Sequence, residues 1–220
     1  MKKTIQISES FGIIMVLTFA GGFMDACSYL LRGEVFTTAQ TGNLLLLGLN
    51  LSQGDFQMAI RYCIPLIAYT VGIGLAEYMR SKHNNWFHWR QVSVIIEVII
   101  LIVVSFIPSG SNLIANALIS LVAGIQTESF QKIHGKGIAT TMCTGNLRLA
   151  SQNMSDYFRT KEHGFLRIGL LYYSTILFFV LGAVFGSQMI KIFNLQAILI
   201  CALILVFAFL LMFVDREQQV

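Results

Sequence analysis

Six stretches of this chain are each long and apolar enough to cross a lipid bilayer, a task that takes about 20 mostly apolar residues. They run over roughly 11–31, 57–79, 91–107, 112–131, 165–190 and 192–214, and so fill most of the chain. The remainder cannot coat a soluble protein: eleven acidic and fifteen basic side chains stand among 220 residues, with 55% hydrophobic and a mean hydropathy of +0.70. An integral membrane protein follows, and a soluble enzyme, a nucleic-acid binder and a secreted disulfide scaffold are excluded. Cys27, Cys63, Cys143 and Cys201 are scattered, without a Cys-x-x-Cys pair or a His-Cys cluster. They read as buried apolar residues, so neither a metal nor another cofactor is expected.

Two further segments, 35–51 and 137–154, differ from the six. Each begins with polar threonines, carries Thr-Gly-Asn in the middle, and is short or polar for a lipid-facing span. Basic residues decide whether they cross, because cytoplasmic loops carry an excess of lysine and arginine. With eight crossings and a cytoplasmic N-terminus, fourteen basic residues divide seven to seven. If the two segments enter and return on one side, eleven fall in the cytoplasm against Arg32, Arg61 and Lys191 outside, with Arg148 left out of both counts. Six crossings with two re-entrant segments are therefore expected, with both termini cytoplasmic. Met1-Lys2-Lys3 ahead of an apolar run resembles a signal peptide, but the repeat below makes the first segment part of the fold. Trp86, Trp89, His83 and His88 read as an interfacial belt and not as a metal or catalytic site.

Residues 20–52 lie on 123–155 without a gap and share eleven identities in thirty-three positions. Thr37-Thr38 falls on Thr140-Thr141, Thr41-Gly42-Asn43-Leu44 on Thr144-Gly145-Asn146-Leu147, and Asp25 on Glu128. Such self-similarity marks a duplicated unit. Further on, Gly72-x-x-x-Ala76 answers to Gly182-x-x-x-Gly186, small residues that let two helices approach closely. A single membrane domain over 1–220 is expected, with repeats at about 11–107 and 112–214. Three crossings per repeat would invert the second relative to the first, about a pseudo-twofold axis in the membrane plane.

Gly21-Gly22-Phe23-Met24-Asp25-Ala26, Val35-Phe36-Thr37 and Thr41-Gly42-Asn43-Leu44-Leu45-Leu46-Leu47-Gly48 resemble the YoaK family of bacterial inner-membrane proteins. Its pattern is a Gly-Phe-x-Asp-Ala box followed by a Phe-x-x-x-x-Thr-Gly-Asn box. Chain length and the second Thr-Gly-Asn extend the resemblance over essentially the whole chain. Gln40 stands where the family has an apolar residue. The resemblance implies a six-span inner-membrane protein of unknown function or a transporter, and supplies no substrate.

Backbone that ends at membrane depth must be buried in protein or line a wet cavity, since lipid cannot satisfy its open N–H and C=O groups. The expected pathway is thus Thr37, Thr38, Thr41, Gly42 and Asn43 from one repeat, with Thr140, Thr141, Thr144, Gly145 and Asn146 from the other. The threonines are expected in the first turns of their helices, capping them or touching solute. The glycines would admit close backbone contact, and Asn43 and Asn146 would bond across the axis. Carboxylates within the membrane are functional candidates by default, so Asp25, Glu128 and Glu97 are expected to carry protons or cations, while Glu77 can reach the surface. Arg148, the one base inside a membrane segment, would hold Glu128 as an ion pair or form an anion site with the adjacent helix start.

The expectation is an all-α polytopic transporter in the lipid bilayer of a bacterial inner membrane, moving a small polar or ionic solute. A passive channel and a non-transporting scaffold or sensor are the alternatives. An enzyme is not expected, because no Ser-His-Asp, HExxH or DxxD-type cluster appears. Substrate, coupling ion, direction and oligomeric state are not encoded in any motif.

Overall fold

Phe11–Leu31 forms the first helix, α1, opened by Ser10, whose hydroxyl accepts from the Ile13 N–H as an N-cap does. The structure, a computed structural model, describes residues 10–82, 89–133, 136–138 and 140–217. Lys2, Lys3, His83, Trp86 and His88 lie outside them. Beyond α1 the helices are α2 (Gln40–Ser52), α3 (Phe56–Lys82), α4 (Trp89–Ser105), α5 (Asn112–Ser129), α6 (Cys143–Thr160), α7 (His163–Phe193) and α8 (Ile198–Glu217). Among the described residues the one departure from the all-α expectation is a short antiparallel ladder after α5, Lys132–Ile133 against Lys136–Gly137.

Among the described residues three stretches are long and apolar enough to cross a membrane: α1, α3, and the run from His163 to Phe213 that takes in α7 and most of α8. The chain is a membrane protein. By the same standard α4 is one turn-fraction short at 17 residues, and α5 is diluted by Asn112, Asn116, Gln126 and Glu128. The outer faces of α3 and α7 leave Ile67, Val71, Leu75, Leu177, Val180 and Val184 exposed, as suits helices in contact with lipid, whereas α1 is buried along most of its length.

Helix α1 packs on α7 and α8, α5 on α3 and α4, and α4 on α8; α2 lies along α3 and α6 along α7. The two closest crossings are built on glycine in the same way. A β-carbon on Gly22 would come within 2.0 Å of the Phe179 carbonyl oxygen, and one on Gly182 within 2.0 Å of the Phe19 carbonyl oxygen. At the α3–α5 crossing, a β-carbon on Gly124 would come within 2.2 Å of the Tyr69 carbonyl oxygen, and one on Gly72 within 2.3 Å of that of Leu121. The Gly72 and Gly182 motifs therefore are packing faces, and backbone-to-backbone approach takes the place of the hydrophobic drive that lipid does not supply.

The two motif helices start later than the sequence suggests. α2 begins at Gln40 and α6 at Cys143, so Thr37, Thr38, Thr140 and Thr141 precede their helices, and only Thr41 and Thr144 lie in first turns. Neither helix is capped by the side chain before it, Ala39 or Met142. The reason lies in where the backbone of Thr37 and Thr38 is bound.

Candidate functional site

After α1 the chain turns and runs back beside it. At the turn Arg32, 2% exposed, donates to the carbonyls of Val104 (3.2 Å), Ile107 (2.8 Å) and Pro108 (3.1 Å) and to Asn112 Oδ1 (3.3 Å). It closes the carbonyl end of α4, where a cation is favoured. Gly33, at φ +88°, lies against the Arg61 guanidinium near the start of α3. Between Gly33 and Arg61 the chain descends to Asp25 and climbs again through α2.

At the lowest point Asp25 gathers the descending strand. Its Oδ1 accepts from the Thr37 N–H (2.8 Å), the Thr37 hydroxyl (3.0 Å) and the Thr38 N–H (2.8 Å), and its Oδ2 from the Thr38 hydroxyl. Four donors on one buried carboxylate satisfy backbone groups that would otherwise be stranded in a low-dielectric interior. They also hold Thr37 and Thr38 in a bend ahead of the helix, so that α2 starts only at Gln40. The carboxylate expected to carry a proton or cation is thus engaged by four donors.

The segment that carries the second Thr-Gly-Asn makes a corresponding contact with other chemistry. Thr127 Oγ1 donates to the Ala123 carbonyl (2.7 Å), receives the Tyr69 hydroxyl (3.0 Å), and lies 2.8 Å from Thr141 Oγ1. Thr127, not Glu128, stands where Asp25 stands. The glycine crossings set this register: Gly22 and Gly124 play one role at the carbonyls of residues 179 and 69, a spacing of 102 that takes Asp25 to Thr127. Glu128 is turned a further 100° or so around α5 and meets Arg80 of α3 at 3.9 Å, beside a 2.7 Å Arg80–Glu77 pair. The expected Glu128–Arg148 pair is replaced by this one, and Arg148 is exposed on α6. Thr140 Oγ1 is buried without a hydrogen-bond partner among the described residues.

The asparagines also depart from expectation. Asn43 turns back on its own repeat, accepting from the Phe36 N–H (3.1 Å) and donating to the Phe36 carbonyl and to Gln40 Oε1 (3.0 Å). Asn146 donates to Thr175 Oγ1 of α7 (3.1 Å). Each fastens its helix to what lies behind it. Gly42 is closed by the Phe36 ring, 3.0 Å from a notional β-carbon, whereas Gly145 faces open space.

What the two motifs share is a cavity of about 580 Å³. Gln40 and Thr41 reach it from the first motif, and Cys143, Thr144 and Gly145 from the second; Asp25 and Thr38 close one side. Tyr29, Phe36, Tyr69 and Phe179 supply aromatic wall, and Thr141 and Ser187 hydroxyls. Of the expected pathway residues, Thr37, Gly42, Asn43, Thr140 and Asn146 are not in the lining. The aromatic wall was not picked out from the sequence, although Tyr69 and Phe179 keep the spacing of Gly72 and Gly182 and could have been found by it. Cys143, with Cys63, is half-buried, unlike the fully buried Cys27 and Cys201.

Glu97 stands apart from this cavity. It is wholly buried in α4, and neither oxygen has a hydrogen-bond partner among the described residues. Among the described residues no three His, Cys, Asp or Glu side chains converge as a metal site.

A family model described as "Protein of unknown function (DUF1275)" matches residues 13–211. The UPF0700 transmembrane protein YoaK of Bacillus subtilis (strain 168) is 29% identical over 183 residues, 78% of this chain and 80% of that protein. No solved structure matches.

Proposed function

We propose that this chain, which belongs to the DUF1275 family of proteins of unknown function, is a small-solute transporter whose pathway passes between its two Thr-Gly-Asn segments. One observation carries the reading: helices α2 and α6, which bear the motifs, both begin at a single cavity of about 580 Å³. Non-helical backbone ahead of a broken helix is tolerated at membrane depth only where it is buried in protein or lines a cavity, and transporters place their solute sites there.

The layout read with it is six crossings, two re-entrant segments and two inverted repeats. It is supported by the return of Thr37 to Asp25 and of Thr141 to Thr127. It is supported also by the packing. Exchanging α1–α4 for α5–α8 turns the α1–α7 pair into α5–α3, α2–α3 into α6–α7, and α4–α5 into α8–α1, and each of these pairs is present. The charge count supports a reading with both termini on the cytoplasmic side of the membrane. No catalytic role is assigned. With Asp25 clasped, Glu128 paired with Arg80 and Arg148 exposed, Glu97 is the group left to couple a proton or cation to movement.

The test is flux in proteoliposomes made with the purified chain, over a panel of small solutes, against Thr144→Phe. Thr144 is exposed to the cavity, so the phenylalanine should fill the pathway without disturbing the helix. Carriage of a solute by the parent and not by the variant is the expected result. Equal flux through both would remove the pathway from this cavity.

A further inference from the structure

We propose that the ligand held between the two motifs is an uncharged, amphipathic molecule with an aromatic-sized apolar body and a head that both donates and accepts hydrogen bonds. That this ligand is cargo rests on the transport role proposed above; that it binds does not.

Charge decides first. Among the described residues, Asp25 is the one side chain in the lining with a formal charge, and no described lysine or arginine lines it. The starts of α2 and α6, uncapped by side chains, each carry about half a positive charge. One carboxylate and two helix starts sum to about zero. An anion would meet Asp25, a cation would meet two helix starts, and either would enter a low-dielectric site without a counter-charge.

Hydrogen bonding decides next. A carboxylate has about two lone-pair positions on each oxygen. Asp25 Oδ1 already takes three donors and is full, whereas Oδ2 takes only the Thr38 hydroxyl. One acceptor position is left for a ligand O–H or N–H. In return the hydroxyls of Thr41, Thr144 and Ser187 line the cavity and can donate. The remaining wall is aromatic: Tyr29 and Phe36 are stacked with centroids 5.1 Å apart, and Tyr69 and Phe179 are also in the lining. Such a wall suits a flat apolar body, and about 580 Å³ is within the range of small-molecule sites, about 300–1,000 Å³. A sugar or nucleotide would leave many polar groups unmet there.

Tyrosol, tyramine and 4-hydroxyphenylacetate share one phenol body and differ in the head, which at pH 7 is neutral, cationic or anionic. Their binding to the purified full chain can be compared by saturation-transfer NMR with competition. Gly145→Leu and Thr144→Phe serve as filled-cavity blanks, the first because a β-carbon at Gly145 meets nothing within 4 Å. The expected result is a dissociation constant for tyrosol at least tenfold below those of both ions, with the tyrosol signal lost in either blank that keeps the parent's thermal midpoint. Equal or tighter binding of an ion, a tyrosol signal that survives both blanks, or no signal from any of the three would overturn the assignment. If tyrosol binds but is not carried across proteoliposomes, the solute class stands and transport falls; if a charged phenol binds best and is carried, transport stands and the solute class falls.

Discussion

Thr127 and Thr141 share a hydrogen bond of 2.8 Å at the place in the second repeat where Asp25 and Thr38 are joined in the first. One repeat thus holds its returning strand with a carboxylate, the other with a hydroxyl. The carboxylate makes four bonds with Thr37 and Thr38 where the hydroxyl makes one with Thr141. The two halves of the site should differ in strength accordingly.

Asp25→Asn should therefore destabilise the protein. The amide replaces an acceptor by a donor among groups that themselves donate, and each hydrogen bond to a charged group contributes about 1.5–3 kcal/mol. Thr127→Val, which removes a neutral bond, should lower the thermal midpoint less. A double-mutant cycle of Asp25→Asn with Thr38→Val should show coupling, since the two residues are in contact. Additive losses would mean that the clasp is not a unit.

Gly22→Ala and Gly182→Ala should each cost about 1–3 kcal/mol or more, as overpacking does, because the added carbon meets a carbonyl oxygen at 2.0 Å. Gly74→Ala is the control. Nothing lies within 4 Å of a β-carbon there, and alanine is the better helix former. Thermal unfolding in detergent ranks the three, and a neutral Gly22→Ala would contradict the α1–α7 crossing.

The ion pair between Arg80 and Glu128 makes a sharper contrast. Glu128→Gln should give a small loss, at most about 1 kcal/mol for a partly exposed ion pair, and Arg80→Gln one at least as large, because it also removes the 2.7 Å Arg80–Glu77 pair; the double variant should lose no more than Arg80→Gln alone. Arg148→Leu should be thermally silent. Any rescue of Glu128→Gln by Arg148→Leu would restore the pairing that the sequence suggested and the structure does not contain.

Glu97→Met should raise the thermal midpoint, since it removes a buried carboxyl with no hydrogen-bond partner among the described residues at similar volume. If Glu97 couples a proton or cation, the same substitution should abolish the dependence of flux on the pH or ion gradient. This trade of activity against stability is usual at functional positions. Raised stability with unchanged coupling would make Glu97 a structural oddity and no more.

The sequence disclosed what lipid selects for and little of what protein packing selects for. Hydrophobic length placed α1 at its observed bounds and α3, α4, α5 and α7 within a few residues, because a span is legible from composition alone. Thr37 and Thr38 were misread as helical because their donors are taken by Asp25, twelve and thirteen residues away, which no local pattern announces. The gap-free alignment paired Asp25 with Glu128, but the glycine-to-carbonyl contacts at Gly22 and Gly124 set the level of α1 and α5 and shift that match by one residue. One residue on a helix is about 100°, enough to send Glu128 to Arg80 and leave Thr127 at the site. The position of Arg148 inside a predicted membrane segment points to a buried role, whereas the side chain lies on the exposed face of α6, away from Glu128.

Paired thiol accessibility tests whether the two motif helices open onto one water-accessible cavity. In protein with its native cysteines replaced, Thr41→Cys and Thr144→Cys would be exposed to a membrane-impermeant, water-soluble thiol reagent in cells and in inverted vesicles. Both thiols should react, and in the double variant a bulky adduct on one should slow modification of the other. Reaction of both only with a lipid-soluble reagent, or independent reaction of the two in the double variant, would place the motifs against lipid or in separate spaces and contradict a shared cavity.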